Sequence, residues 1–102
     1  MEKNTPHCKL VRVFELIALD HIRATNAALR GADDLDLVFD DMVAVISALT
    51  SADFYKSMTS HADHRVWQDV YRPRISTPLG DTEVYIKLTV VDGVLIVSFK
   101  EL

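Results

Sequence analysis

The segment EVYIKLTVVDGVLIVSFKE, Glu83 to Glu101, constrains this chain more than any other. Asp92-Gly93 is a two-residue turn signal, because both residues tolerate the left-handed backbone that tight hairpins demand. With that turn as register, Val90 pairs with Leu95, Leu88 with Val97 and Ile86 with Phe99, and Val84 joins the same face. This face is wholly apolar and must be buried, and a one-residue slip would turn all of it to water. The other face carries Tyr85, Lys87 and Thr89 across from Lys100, Ser98 and Ile96. The hairpin thus predicts an exposed sheet face bearing a phenol and lysines.

Upstream the period changes from strand to helix. Leu10, Val13, Phe14 and Ile17 recur at helical spacing between Lys9 and Ile22. Thr25 suits the N-cap of a second, shorter helix through Ala27, Ala28 and Leu29, with Gly31 loosening its middle or end. A third helix is expected from about Asp40, with Met42, Val45, Ile46 and Leu49 on one face and Asp40 and Asp41 at the positive end of its dipole. Thr50 and Asp53 stand at capping-box distance, which allows one more short turn before Tyr55. A strand is predicted over Val66–Arg72, and Pro73 and Pro78 bracket its connection to the hairpin. Helices first and strands later predict an α+β domain over residues 1–102, with N-terminal helices on one face of a largely antiparallel, twisted sheet.

Composition narrows the function classes. The longest apolar runs are far short of a membrane span and no signal-peptide pattern follows Met1, so a cytoplasmic address is expected. Cys8, the sole cysteine, allows no internal disulfide. His61-Ala62-Asp63-His64 lacks the paired spacings of zinc sites and reads as a polar loop, so no metal is expected. No Gly-rich phosphate loop exists, and no cofactor is expected. The net charge of −4 resides in residues 1–53, with five Lys/Arg against nine Asp/Glu; residues 54–102 hold six of each. Local fields steer a polyanion more than total charge does. No helix carries a basic recognition face, so direct DNA binding by this chain alone is not expected.

The stretch DFYKSMTSHADHRVWQDVYRPR, Asp53 to Arg74, concentrates Lys56, His61, His64, Arg65, Gln68, Arg72 and Arg74 among Tyr55, Trp67 and Tyr71. These groups suit RNA cleavage through the 2′-hydroxyl. There the protein supplies no nucleophile, but must move two protons and stabilise charge on the phosphoryl oxygens. A solvated basic face is the bland alternative. In Val66–Arg72, Val66, Gln68, Val70 and Arg72 share one face and Trp67, Asp69 and Tyr71 the other; neither is cleanly apolar.

The blocks MEKNTPH, DFYKSMT, WQDVYRPR, VYIKLTVV and VLIVSFKE together resemble the MqsR family of bacterial toxins from Met1 to Glu101. The resemblance implies a RelE-like fold and an mRNA interferase of a type II toxin–antitoxin pair with a preference for GCU-type sites, and the 2′-hydroxyl chemistry predicts that it cuts without metal. It further implies a cognate MqsA-like antitoxin that binds zinc and DNA. Carried over residue by residue, it makes Lys56, Gln68 and Tyr85 catalytic, with Tyr55, Met58 and Arg72 as substrate contacts. Lys87, on the exposed hairpin face, is a further substrate contact. In the expected roles, Lys56 and Arg72 stabilise charge, Tyr85 moves a proton and Gln68 positions the phosphate or the 2′-hydroxyl. Lys56 or Tyr85 could serve as a base only if cationic crowding lowered its pKa. The alternative is a toxin-derived module that binds antitoxin or RNA without cutting. Tyr55, Tyr71 and Trp67 are the stacking candidates.

Overall fold

A computed structural model describes residues 1–102. In chain order its elements are β1 (Glu2–Lys3), α1 (Leu10–Ala18), β2 (Ile22–Ala24), α2 (Asn26–Asp33), α3 (Phe39–Ser47), β3 (Phe54–Thr59), β4 (Trp67–Tyr71), β5 (Arg74–Thr77), β6 (Gly80–Val91) and β7 (Val94–Glu101). The sheet runs β1-β3-β4-β6-β7-β2, with β5 paired to β6. Every pairing is antiparallel except that of β2 with β7. This is the α+β class expected from helices followed by strands.

The hairpin forms in the expected register, Ile86 opposite Phe99, Leu88 opposite Val97 and Val90 opposite Leu95. Asp92 and Gly93 both adopt positive φ, 52° and 74°, as this turn type requires. Its apolar face joins helix side chains in one core. Val13 and Leu16 of α1, Ala28 and Ala32 of α2, and Met42 and Ile46 of α3 cluster with Val84, Ile86, Leu88, Leu95, Val97 and Phe99. Truncating Phe99 in that cluster should cost about 3–5 kcal/mol.

The helices are shorter or shifted from their sequence expectations. α1 stops at Ala18, not near Ile22, because Asp20 turns to a left-handed φ of 61°. The chain then straightens, and β2 lies parallel to β7 with Ile22 opposite Leu95. Phe14, expected on the buried stripe, is 36% exposed, and Leu16 takes its place in the core. Thr25 caps α2 as expected, its Oγ1 accepting the Ala28 N–H at 3.0 Å. Gly31 is explained by close approach, since a methyl group there would overlap the Phe99 carbonyl of β7. α3 begins one residue early, and the Asp41 carboxylate accepts the Val38 N–H at 2.9 Å. Asp53 closes the anticipated short turn by accepting the Thr50 N–H at 2.9 Å.

Besides β2, three strands go beyond the sequence reading. β3 occupies a stretch for which no strand was expected. β1 is only two residues long and depends on β3 as its template. The segment read as a plain connection between Pro73 and Pro78 is itself β5, which pairs Arg74–Thr77 with Gly80–Glu83. Pro73 leaves a carbonyl that accepts the Val84 N–H at 3.0 Å, so the proline ends β4 without breaking the sheet.

Candidate active site

Side chains opposite one another in antiparallel strands share a face. Lys56 lies opposite Val70, Val70 opposite Lys87, and Lys87 opposite Ser98, a row that crosses β3, β4, β6 and β7. Two residues along, Met58 lies opposite Gln68, and Thr89 opposite Ile96. Two residues the other way, Tyr85 lies opposite Lys100, and Arg72 follows the core-facing Tyr71 and so turns to this face. The structure therefore brings Lys56, Met58, Gln68, Arg72, Tyr85 and Lys87 to one side of the sheet. The face assigned to Tyr85, Lys87 and Lys100 from the hairpin is this one, and Gln68, which sequence could not orient, shares it.

A β-bulge makes this possible. The β3–β4 register shifts between Phe54 and Lys56. Phe54 pairs with Tyr71 and packs edge-on against it in the core, ring centroids 5.5 Å apart. Without the shift, Lys56, two residues on, would follow Phe54 inward. The extra residue, Tyr55, is 48% exposed, with its ring 4.8 Å from the Arg72 guanidinium carbon and 5.4 Å from Lys56 Nζ. Val70 is fully buried yet outside the helix-side core. Its cross-strand neighbours are Lys56 and Lys87, whose aliphatic stems are the natural cover for it.

The cations of this face fall into two kinds. Lys56 Nζ bonds Glu2 Oε2 at 2.6 Å, and Arg72 Nη2 lies 3.4 Å from Glu83 Oε2. Lys87 and Lys100 form no ion pair; Lys100 Nζ stands 5.4 Å from the Tyr85 ring centroid. The hydrogen bond that Lys56 donates to Glu2 holds its ammonium above the ordinary range, against a partial desolvation that lowers it, and the Glu2, Tyr55 and Tyr85 charges act in the same direction as that bond. This corrects the expectation that cationic crowding could lower it. Glu2 is held below the usual carboxylate range by the same bond. The Arg72 Nε is buried without a partner.

A buried carboxylate fastens the N-terminal segment that carries Glu2. Asp69, 2% exposed on β4, accepts the His7 N–H at 2.9 Å, the Cys8 N–H at 2.8 Å and the Ser57 hydroxyl at 2.6 Å. His7 stacks on Trp67 at 5.6 Å between centroids, and Lys3 Nζ sits 4.2 Å from the Trp67 ring centroid. Glu2 was missed as a site residue because its partner lies 54 residues away, and no local pattern links them. Lys100 was signalled by the hairpin register.

Other candidates fall outside this face. Tyr71, a stacking candidate, is fully buried in the core, and burial followed by the Asp69 charge pushes its phenol up to about 12. Trp67 is half-buried on the helix side, its ring already engaged by His7 and Lys3. Burial, then Asp69, raises the Cys8 thiol, which makes it a poor nucleophile. His61 and His64 are exposed, and no three His, Cys, Asp or Glu residues gather to a common point. The larger cavity, about 620 Å³ and lined by His7, Lys9, Arg12, Arg65 and Trp67 among others, includes none of Lys56, Gln68 and Tyr85. An open face rather than a cavity suits a polymer substrate.

Comparison with known proteins places the chain in a family. Residues 5–101 match the family described as motility quorum-sensing regulator, toxin of MqsA. The chain belongs to the MqsR toxin family. A relative, the mRNA interferase toxin MqsR of Escherichia coli (strain K12), is 54% identical over 101 residues, covering 99% of both chains. No helix of this MqsR-family chain is long and apolar enough to cross a membrane.

Proposed function

We propose that this MqsR-family chain is an mRNA interferase, an endoribonuclease that acts as the toxin of a type II toxin–antitoxin pair, a single toxin domain over residues 1–102. The observation that carries the reading is the gathering of Lys56, Gln68, Arg72, Tyr85 and Lys87 on one uncovered face of the sheet. The similarity to an mRNA interferase along nearly the full chain supports the same conclusion.

The mechanism follows from the chemistry of RNA. The 2′-hydroxyl loses its proton and its oxygen attacks the adjacent phosphorus. The P–O5′ bond breaks, and the departing oxygen takes up a proton. The products are a 2′,3′-cyclic phosphate and a 5′-hydroxyl, and no metal is required. Lys56, an ammonium at neutral pH, stabilises the growing charge on the phosphoryl oxygens rather than accepting a proton, and Arg72 assists it. Tyr85, opposite Lys100, moves a proton, and Gln68 positions the phosphate or the 2′-hydroxyl by hydrogen bonding. Tyr55, exposed at the bulge, stacks on a base, with Met58 and Lys87 contacting the flanking strand. Cleavage falls at GCU-type sites in the cytoplasm and halts translation and growth. A cognate MqsA-like antitoxin, itself zinc- and DNA-binding, restrains the toxin.

The pairing of Lys56 with Glu2 and Arg72 with Glu83 favours a second reading, a module that keeps the fold and antitoxin contact but no longer cuts. Incubating labelled mRNA with the purified chain in EDTA separates them. The enzyme yields recurrent cuts ending in cyclic phosphate, with a rate that rises above neutral pH; the module yields none even at low salt.

A further inference from the structure

The sheet face contains two carboxylates that the mechanism leaves without a role, Glu83 beside Arg72 and Glu2 on Lys56, and Glu2 makes the shorter contact, at 2.6 Å against 3.4 Å. β1 sets Glu2 opposite Met58, on the same side as Lys56. The backbone beneath Glu2 is fixed. Lys3 lies opposite Ser57, Thr59 N–H donates to the Met1 carbonyl at 3.0 Å, and Asp69 binds the His7 and Cys8 N–H groups. The Glu2 side chain, by contrast, is 59% exposed, while the Lys56 side chain it contacts is 24% exposed.

We infer that Glu2 is a displaceable counter-ion that competes with the RNA phosphate for Lys56 and thereby sets the affinity of this face for RNA. The inference rests on the reading of Lys56 as a phosphate-binding cation. At 2.6 Å the Glu2 oxygen takes a charge-assisted hydrogen bond from the ammonium. A phosphate oxygen repels that carboxylate and seeks the same donor. An exposed ion pair is weak and exchanges readily, whereas a buried carboxylate would lock the lysine away. Lys87 and Lys100, which hold no carboxylate, engage RNA first, and Lys56 is released to the phosphate only as Glu2 swings aside. Arg72 differs, because its guanidinium keeps further N–H donors free while one contacts Glu83.

Glu2→Gln keeps the strand pairing and removes the charge. Binding is measured with an RNA carrying 2′-deoxyribose at the scissile nucleotide, across a salt series, for the parent, Glu2→Gln, Lys56→Ala and the double variant; kcat and KM follow with cleavable RNA. Expected for Glu2→Gln is about twofold to fivefold tighter binding, in line with a surface ion pair. The plot of log affinity against log salt should steepen by up to about 0.7, the value of one phosphate contact on a single strand. The gain appears in KM with kcat nearly unchanged, and vanishes when Lys56 is also removed. Unchanged or weaker binding by Glu2→Gln, with Lys56→Ala still weakening the parent, overturns the competition alone. A fall in kcat without a change in affinity also overturns it. If Lys56→Ala leaves both binding and cleavage intact, the functional reading itself fails.

Discussion

The open sheet face and the cavity beside Trp67 carry similar residue types and are built for opposite ends. Around the cavity most polar groups answer one another, with Lys9 among the exceptions: Asp69 takes three hydrogen bonds, Arg65 pairs with Asp63 at 3.1 Å, Arg12 with Glu15 at 3.2 Å, and His7 stacks on Trp67. Such a network fixes the N-terminal segment against the sheet. On the open face Lys87 and Lys100 have no acidic partner, and the Arg72 Nε is buried and unpaired. The difference teaches that, on the proposed reading, an open and partly unpaired cationic face rather than the larger cavity is where RNA is expected to bind.

The sharpest way to break that contrast is to remove groups from each region. Lys56→Ala and Tyr85→Phe should each lower cleavage by about 10²-fold or more while leaving the unfolding midpoint close to the parent's. Arg65→Ala, on the cavity rim, should leave cleavage near the parent's rate. Next in size, Asp69→Ala strands the donors of His7, Cys8 and Ser57, and should cost about 3 kcal/mol in urea unfolding, a stability defect that frees the N-terminal segment. Lys87→Ala should weaken RNA binding for all sequences alike and flatten the salt dependence by about 0.7.

The smallest effect concerns Tyr71. Its phenol ionises near 10 when unfolded and at about 12 when folded. The folded state therefore holds the proton more tightly, and the associated stability is complete below about pH 10 and lost as pH climbs toward 12. Because the hydroxyl has no hydrogen-bond partner, Tyr71→Phe should change stability little at pH 7 and flatten the decline between about pH 10 and 12. Thermal melts across that range check the sign.

How much was legible depended on range. The hairpin could be read to the residue because a two-residue turn and strict alternation overdetermine its register, and this alone placed Tyr85, Lys87 and Lys100 together. The caps at Thr25 and Asp53 were equally local. β3 was hidden because its bulge interrupts the alternation and its strand is polar; Lys56 stood out in a polar stretch, but its catalytic assignment came only through the MqsR resemblance. β1 is too short to announce itself, so Glu2, and with it the raised Lys56 ammonium, emerged only in three dimensions. The left-handed turn at Asp20 beat the helical pattern that ran on to Ile22, and Phe14 lost its expected place to Leu16, which enters the core beside Val13.

The central claim, that RNA lies on the uncovered face, is tested most directly by amide and side-chain NMR shifts on titration with the 2′-deoxy-blocked RNA. The account predicts that signals of Lys56, Gln68, Tyr85, Lys87 and Ser98 move together, while those of Val11, Arg65 and Val91 in the cavity stay in place. Shifts confined to the cavity residues, with the face unmoved, would contradict it.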